Sequence, residues 1–371
     1  MAAERGEHRE RPRDALQAED FVYREDELIL QGVAWPSAAL SRFDRALLGA
    51  WQERMARGLF RYRLQELPTR VLPGAMRLLA QLNVPRATER RRPQPVRSVT
   101  EPFSSRHFNF TLIRPEELLL RMRRAPPADG ELPGAEHVLV AINVSPLERG
   151  HVLLLPEPAL RLPQILTPQL LRAGLEAVLL SARPGFRVGF NSLGASASVN
   201  HLHMHGFYLD HPLLVETAPA EPLSPARGLH LLLRVPAPAL LFYTAGSGLA
   251  ELARDACGAA GRLLALGLAY NVFVTRGAPP EGSAGPGPGA GLRLLLWPRR
   301  PRFEPEEDAA FNVALCELAG HLPLRTAEAF RELEEAEALR AIRRPLLPEP
   351  EMRRLAADLA RLLEDSAAAA T

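Results

Sequence analysis

Three histidines at alternate positions are the residues of this sequence best suited to chemistry. His201, His203 and His205 lie within the stretch VNHLHMHGFY. Because a β-strand directs alternate side chains to opposite faces, the spacing predicts three imidazoles on one strand face, with Leu202 and Met204 turned toward a core. The ordinary alternative is the polar face of a surface strand. Neighbouring imidazoles on one face repel one another when protonated, so a surface strand without a function would more favourably carry Thr or Gln. We therefore favour a functional role for the three histidines.

Imidazoles in this pattern suit two kinds of chemistry. H-x-H pairs chelate zinc, but metallohydrolases add carboxylates, a distant histidine or a modified lysine. Here Gly206 follows the last histidine, no Asp follows within the motif before Asp210, and the chain has no lysine. The sequence therefore predicts no metal. The second chemistry is nucleophilic attack on phosphorus by a neutral imidazole nitrogen, which gives a phosphoramidate intermediate.

The loop SLGASAS directly precedes the histidines and is suited to holding a phosphate. Gly194, Ser196 and Ser198 are small, so their backbone N–H groups and hydroxyls can approach phosphate oxygens closely. By itself such a loop is more often an ordinary flexible turn. Its connection to the histidine strand favours phosphate binding.

Composition limits the remaining classes of function. The net charge is only +2, and all 45 residues counted as Lys or Arg are arginine. The absence of lysine excludes Schiff-base chemistry and a P-loop lysine, and the mixed charge predicts no nucleic-acid partner. Cys257 and Cys316 lie in apolar stretches and are predicted to be buried thiols of a reducing compartment. The charged N-terminus and the absence of a 20-residue apolar run predict a cytoplasmic protein without membrane contact.

The periodicity of the first half predicts mixed helices and strands. Residues 1–19 are predicted to be disordered. Thr167 and Pro168 predict the start of a helix. The predicted elements are a helix at 43–59, a Pro- and Arg-rich connector at 87–97, a strand at 108–113, a helix at 115–123, a hairpin of strands at 137–144 and 150–155, a helix at 167–182 and a strand at 186–191.

The second half repeats this order of elements. The predicted strands at 229–235, 240–244, 270–275 and 292–297 surround a helix at 249–266, and a Gly- and Pro-rich loop lies at 277–291. The strand in the place of the histidine strand contains LRLLLW. We predict an internal duplication, with a catalytic half at 20–218 and a degenerate half at 219–371 that ends in three helical stretches.

These motifs together resemble those of a known superfamily. The segment FNSLGASASVNHLHMHGFY, the preceding GHVLLLP, the segment EPFSSRHFNFTLI and the later ELAGHLPLR are similar to the histidine triad superfamily, and within it to the GDP-sugar phosphorylase branch. The resemblance implies an α+β fold in which antiparallel sheets from the two halves carry flanking helices.

The resemblance also implies an activity and a role for each histidine. His203 is expected to attack the α-phosphorus of GDP-D-glucose, release glucose 1-phosphate and hold GMP, which inorganic phosphate then removes as GDP. His201 would orient His203, and His205 would hydrogen-bond the phosphate or the leaving oxygen. His151 occupies the fourth histidine position, although a structural histidine of the hairpin is an alternative. No cofactor is implied, and the oligomeric state stays open.

Four residues are expected to bind the substrate, but the motifs leave several choices open. Asn191 and Ser196 or Ser198 match positions that contact ribose or phosphate in relatives, and Gly194 lies in the same loop. Plant relatives carry Gln at the position of His205, whereas small nucleotide hydrolases of the superfamily carry His there, so the second acceptor can be phosphate or water. We favour phosphate because the duplicated form closes the site more fully. Rival hypotheses are a nucleotide hydrolase, a phosphorylase for another base and a non-catalytic nucleotide sensor. Arg276 and Arg293 are candidate phosphate or base contacts, with solvated strand ends as the alternative.

Overall fold

A computed structural model describes residues 18–31, 33–37, 39–126, 137–280, 291–304 and 309–368. Most of the predicted disordered N-terminus, most of the 277–291 loop and the end of the tail lie outside these ranges. The described part of the chain forms an 11-stranded sheet and a three-stranded sheet with helices on both sides. The predicted α+β class is confirmed.

The first half supplies the N-terminal elements of both sheets. Its helices and strands are β1 (Glu19–Tyr23), α1 (Arg42–Ala56), β2 (Thr69–Val71), β3 (Leu79–Leu82), α2 (Val84–Glu89), β4 (Leu118–Arg124), β5 (His137–Ile142), β6 (Val152–Leu155), α3 (Pro168–Leu180), β7 (Phe186–Asn191) and β8 (Met204–Tyr208). Thr167 caps α3 by accepting a hydrogen bond from the Leu170 N–H, as predicted.

The second half supplies the remaining elements. They are β9 (Glu221–Ser224), β10 (Leu229–Leu232), β11 (Ala239–Thr244), α4 (Leu249–Ala265), β12 (Ala269–Gly277), β13 (Gly291–Arg299), α5 (Leu315–Ala319), β14 (His321–Leu324), α6 (Ala327–Glu332), α7 (Glu335–Arg343) and α8 (Glu349–Ala368). The tail therefore holds four helices and a strand in its described part, not three helical stretches.

The order of strands repeats between the two halves. The large sheet runs β1-β4-β5-β6-β8-β7-β12-β13-β11-β10-β9, so each half contributes a three-stranded meander, a helix and two further strands in the same arrangement. The halves join through antiparallel pairing of β7 with β12, in which Asn191 lies opposite Asn271. The topology agrees with an internal duplication, and both halves share one continuous sheet.

Two apolar clusters cover the two faces of the large sheet. On one face, α1, α3, α4 and α8 pack over side chains that include Leu202 and Met204. On the other face, the second half of the sheet is covered by the three-stranded sheet and α5 to α7. Within the three-stranded sheet, β3 pairs in parallel with β14, so elements from both halves close this side together.

Two predicted elements are wrong. The predicted strand at 108–113 is a 3₁₀ helix at Phe110–Leu112, because the Asn109 side chain accepts from the Thr111 N–H and the Phe110 N–H donates to His201 Nδ1. The predicted helix at 115–123 is a 3₁₀ turn at Pro115–Glu117 followed by β4, which pairs with β1 and β5. In both cases long-range contacts override the local pattern.

Candidate active site

The histidine strand is shorter than its spacing predicts. β8 begins at Met204, so His205 lies in the strand and His201 and His203 lie in the segment that leads into it. The reason is the side chain of Gln164, which occupies the place where the β7–β8 ladder would continue from Gly189 opposite His205. Its Nε2 donates to the Asn191 and His203 carbonyls, and its Oε1 accepts from the His203 N–H.

The ring of His203 is held in one tautomer. Its Nδ1 lies 2.8 Å from the carbonyl oxygen of His201, so Nδ1 carries the hydrogen and donates it. The Nε2 lone pair is then unencumbered. Phe110 packs edge-on against the ring with its centroid 5.0 Å away. The arrangement presents a neutral nitrogen in a fixed direction, as a nucleophile requires.

His151 and His205 form a second, directional pair. The Leu147 N–H donates to His151 Nδ1 at 2.7 Å, which places the hydrogen of a neutral ring on His151 Nε2. That nitrogen lies 3.1 Å from His205 Nδ1 and donates to it. The remaining hydrogen of His205 is therefore on Nε2. His205 is in this way prepared as a hydrogen-bond donor, and His151 sets its tautomer.

His201 contacts two phenylalanine residues with its ring and His203 with its backbone carbonyl. Its Nδ1 accepts from the Phe110 N–H at 2.9 Å, and its ring stacks on Phe110 with a centroid separation of 5.4 Å. Phe103 packs edge-on against the same ring. His201 contacts His203 through its backbone carbonyl, so any orienting effect is carried by the main chain.

Burial keeps all four rings neutral. Loss of solvation lowers the pKa of His203 to about 4 and that of His201 to about 4. Burial, followed by the charge of neighbouring rings and of Arg86, places the pKa values of His151 and His205 well below the usual range. At neutral pH the rings are uncharged, which preserves the Nε2 lone pair of His203.

Three of these rings, but not that of His201, open into one large cleft, which we call the histidine cleft. It has a volume of about 1570 Å³ and is lined by His151, His203 and His205 together with residues of both halves. Its charged lining is mostly arginine: Arg61, Arg86, Arg90, Arg91, Arg92, Arg114, Arg299, Arg300, Arg302, Arg325 and Arg344, against Glu117, Glu304 and Glu317. A cleft with this excess of guanidinium groups attracts anionic ligands.

All four predicted substrate-binding residues line the histidine cleft. Asn191 Oδ1 already accepts from Asn271 Nδ2 at 2.6 Å and from the Leu315 N–H at 3.1 Å. The Ser196 hydroxyl donates to the Val313 carbonyl, while Ser198 is half-buried at the rim. Gly194 has φ +74°, and a Cβ there would lie 2.8 Å from Pro301 Cβ, so glycine is required. Their contacts with substrate remain predictions.

The two arginines singled out in the second half have structural roles. Arg276 is 2% exposed and donates to the Val178, Leu179 and Ser181 carbonyls at the end of α3. Arg293 is 0% exposed and donates to the Val215 and Ala218 carbonyls. Neither is a solvated strand end, and neither is among the residues that line the histidine cleft.

The sequence analysis missed residues that act through the main chain. Phe110 and Leu147 bind ring nitrogens through their backbone N–H groups, and Gln164 binds the His203 backbone through its side-chain amide. Phe110 lies in the quoted segment EPFSSRHFNFTLI, but only the folded contacts reveal what these three residues do. Within the described ranges, no group of three or more His, Cys, Asp or Glu side chains is arranged to hold a metal ion. Both cysteines are free thiols. No helix in the described part of the chain is long and apolar enough to cross a membrane.

The fold and the histidine arrangement define a protein of the histidine triad class. The family model for the "GDPGP1-like, N-terminal domain" matches residues 42–207, and the model for the "GDPGP1-like, C-terminal domain" matches residues 215–366. The chain belongs to the GDPGP1-like family of GDP-sugar phosphorylases.

Curated relatives and solved structures agree with this assignment. GDP-D-glucose phosphorylase 1 of Bos taurus is 55% identical over 89% of this chain and 88% of its own length. GDP-L-galactose phosphorylase 1 of Arabidopsis thaliana is 31% identical over 85% of this chain and 72% of its own length. Yeast Ap4A phosphorylase Apa2, solved in complex with AMP, has a TM-score of 0.56 at 13% identity, covering 83% of this chain and 97% of that chain. That structural likeness supports the fold.

Proposed function

We propose that this protein converts GDP-D-glucose and inorganic phosphate to glucose 1-phosphate and GDP through a GMP–histidine intermediate. The observation that carries the proposal is the His203 ring, which lines an arginine-rich cleft and whose Nδ1–H is held by the His201 carbonyl, so that the Nε2 lone pair is left for a substrate. Relatives named GDP-D-glucose phosphorylase 1 match most of the chain.

In the first step, His203 Nε2 attacks the α-phosphorus of the GDP-sugar. The bond from that phosphorus to the bridging oxygen breaks, and glucose 1-phosphate leaves with the bond's electron pair. The ring keeps its Nδ1 hydrogen and becomes positively charged, a state that the hydrogen bond to the His201 carbonyl stabilises. His205 Nε2–H donates to an oxygen of the transferring or leaving phosphate.

In the second step, an oxygen of inorganic phosphate attacks the same phosphorus. The phosphorus–nitrogen bond breaks, its electron pair returns to Nε2, and GDP leaves. The ring is again neutral with its hydrogen on Nδ1, so no proton must be supplied to complete the cycle. The buried environment favours this neutral resting state.

The proposal is tested by intact-protein mass after mixing the enzyme with GDP-D-glucose in phosphate-free buffer. A mass increase of one GMP is expected, and phosphate should remove it as GDP. His203→Ala should show no increase. An unmodified wild-type protein that also leaves the substrate intact once phosphate is added would contradict the proposal, and UDP- and ADP-glucose in parallel would reveal another base preference.

A further inference from the structure

A second charged cluster lies beside the histidines in the histidine cleft. Arg86 is in α2, Arg90 follows the end of α2, Glu317 is in α5 and Arg325 follows β14. Their charges act on one another, since Arg86 and Arg325 lower the pKa of Arg90, and Glu317 opposes that effect. The cluster thus joins elements of both halves and combines three guanidinium groups with a single carboxyl group.

Arg90 is the unusual member of this cluster. Burial is the main cause that lowers the pKa of its guanidinium, to about 10. Arg86 donates to the Ser145 carbonyl and Arg325 to Asn312 Oδ1. Arg90, in contrast, makes no hydrogen bond or ion pair with any residue that the structure describes. Arg90 is half-buried and lines the open cleft, so its guanidinium is accessible to an anion that binds there.

The cluster is within electrostatic reach of the reacting histidines. The charge of Arg86 lowers the pKa values of both His151 and His205. Arg86 and Arg90 line the same cleft as His205, and Arg86 donates to the Ser145 carbonyl in the turn before His151, so an anion bound by the two arginines would lie in the cleft that His205 also lines. That is where a phosphate must lie to leave from, or attack, a phosphorus atom bonded to His203.

The chemistry of the cluster fits phosphate. Guanidinium groups present paired N–H donors that match phosphate oxygens. Burial raises the pKa of Glu317 to about 7, so near neutral pH this carboxyl can be protonated and donate to a phosphate oxygen instead of repelling it. A water molecule carries no charge, so these groups are expected to bind it more weakly than phosphate.

We infer that Arg86, Arg90 and Arg325 form the binding site for inorganic phosphate and for the β-phosphate that it replaces. The inference rests on the proposed function. Phosphate held here attacks the GMP–His203 phosphorus with one oxygen while its other oxygens stay on the guanidinium groups. The cluster therefore favours phosphorolysis over hydrolysis of the intermediate.

The test uses Arg90→Ala, because Arg90 supports no other described side chain or carbonyl. The GMP adduct is formed without phosphate, excess substrate is removed, and GDP and GMP are measured over a range of phosphate concentrations. We expect the phosphate concentration for half-maximal GDP release to rise at least about tenfold, and the share of GMP released by water to rise with it. Arg97→Ala is the control, since Arg97 is exposed and outside the cleft lining.

The outcomes separate the two proposals. Absence of an adduct in the wild-type protein would contradict the proposed function. An adduct in both proteins with the same phosphate dependence would overturn the arginine site alone. If Arg90→Ala does not fold, phosphate protection of wild-type Arg90 from phenylglyoxal is measured by peptide mass, with Arg97 as the internal reference. Equal modification of Arg90 with and without phosphate would also overturn the inference.

Discussion

The two halves of the large sheet share one strand order, but they differ in the side chains that they carry on one face. In the first half, β8 turns His205 and Phe207 to that face, next to an open cleft. In the second half, β13 turns Leu295 and Trp297 to it, where both are fully buried under α5 and the three-stranded sheet. The same scaffold therefore borders an open cleft in one half, where we propose that the reaction takes place, and serves as a packing surface in the other.

This difference shows what the second half contributes to the site. Its own sheet face is filled, but segments that cover it, including Glu317 and Arg325, extend to the histidine cleft. The second half carries no histidine on β13, and its residues contribute charge and closure to the cleft of the first half. The following predictions test this division between a reacting half and a supporting half.

The largest effect is expected from removing the nucleophile. His203→Ala should lower kcat by at least about 10⁴-fold, because the covalent route is lost altogether. Its thermal unfolding should stay within a few degrees of wild type. Steady-state phosphorolysis rates and circular dichroism check both points, and a variant that retains a tenth of the activity would assign the nucleophile elsewhere.

The matched change in the second half should affect stability instead. Leu295→Ala removes a fully buried side chain and should reduce the free energy of unfolding by about 2–5 kcal/mol. The fraction of folded protein that forms the GMP adduct should not change. Denaturant unfolding and adduct mass are the measurements; normal stability with lost adduct formation would reverse the proposed division.

The paired histidine of the hairpin should have an intermediate effect. His151→Ala leaves His205 Nδ1 without its donor, so the His205 hydrogen is no longer confined to Nε2. We expect kcat to fall about 10²-fold. His230→Ala is the control in the second half: His230 is also buried, lies in β10 and contacts the Gly228 carbonyl, and its loss should leave kcat unchanged. Equal losses in both variants would show that His151 is only structural.

The junction between the halves offers a smaller test. Asn271 donates from Nδ2 to Asn191 Oδ1 and to the Ala195 carbonyl, and so connects β12 to the loop before the histidines. Asn271→Ala removes this donor together with the Oδ1 that accepts from Arg299 Nη1, and should cost about 1–3 kcal/mol of unfolding free energy. Urea unfolding measures it. Unchanged stability would mean that the junction between β7 and β12 is held by backbone pairing alone.

The smallest effect is expected from pH. Because burial lowers the pKa of His203 to about 4, its ring stays neutral as pH falls from 8 to 6. The rate of adduct formation should then change less than about twofold, whereas a solvated imidazole of pKa about 6.5 would lose roughly three-quarters of its neutral form. Single-turnover quench-flow measures this rate, and a midpoint near 6.5 would show that the ring is solvated during the reaction.

Local patterns predicted much of the fold, and they singled out histidines that the structure places in one cleft. The hairpin, the Thr167 cap and the repeated element order depend on residues close in sequence. The 108–113 segment failed because the His201 ring, distant in sequence, takes its backbone N–H. Gln164 and Arg90 were missed for the same reason: an amide inserted into a strand ladder and an unpaired guanidinium are visible only when distant segments meet. The division at residue 218 stays a prediction.

The pairing of β3 with β14 has a consequence for how the active enzyme arises during synthesis. Leu79 pairs with His321, so this sheet closes only after most of the chain has left the ribosome. Asn83, just after β3, holds the Pro146 and Leu147 carbonyls of the turn that fixes His151, and Arg325 lies just after β14. A nascent chain can thus contain every histidine of the site long before it can use them, and catalytic competence is expected to appear late and in one cooperative step.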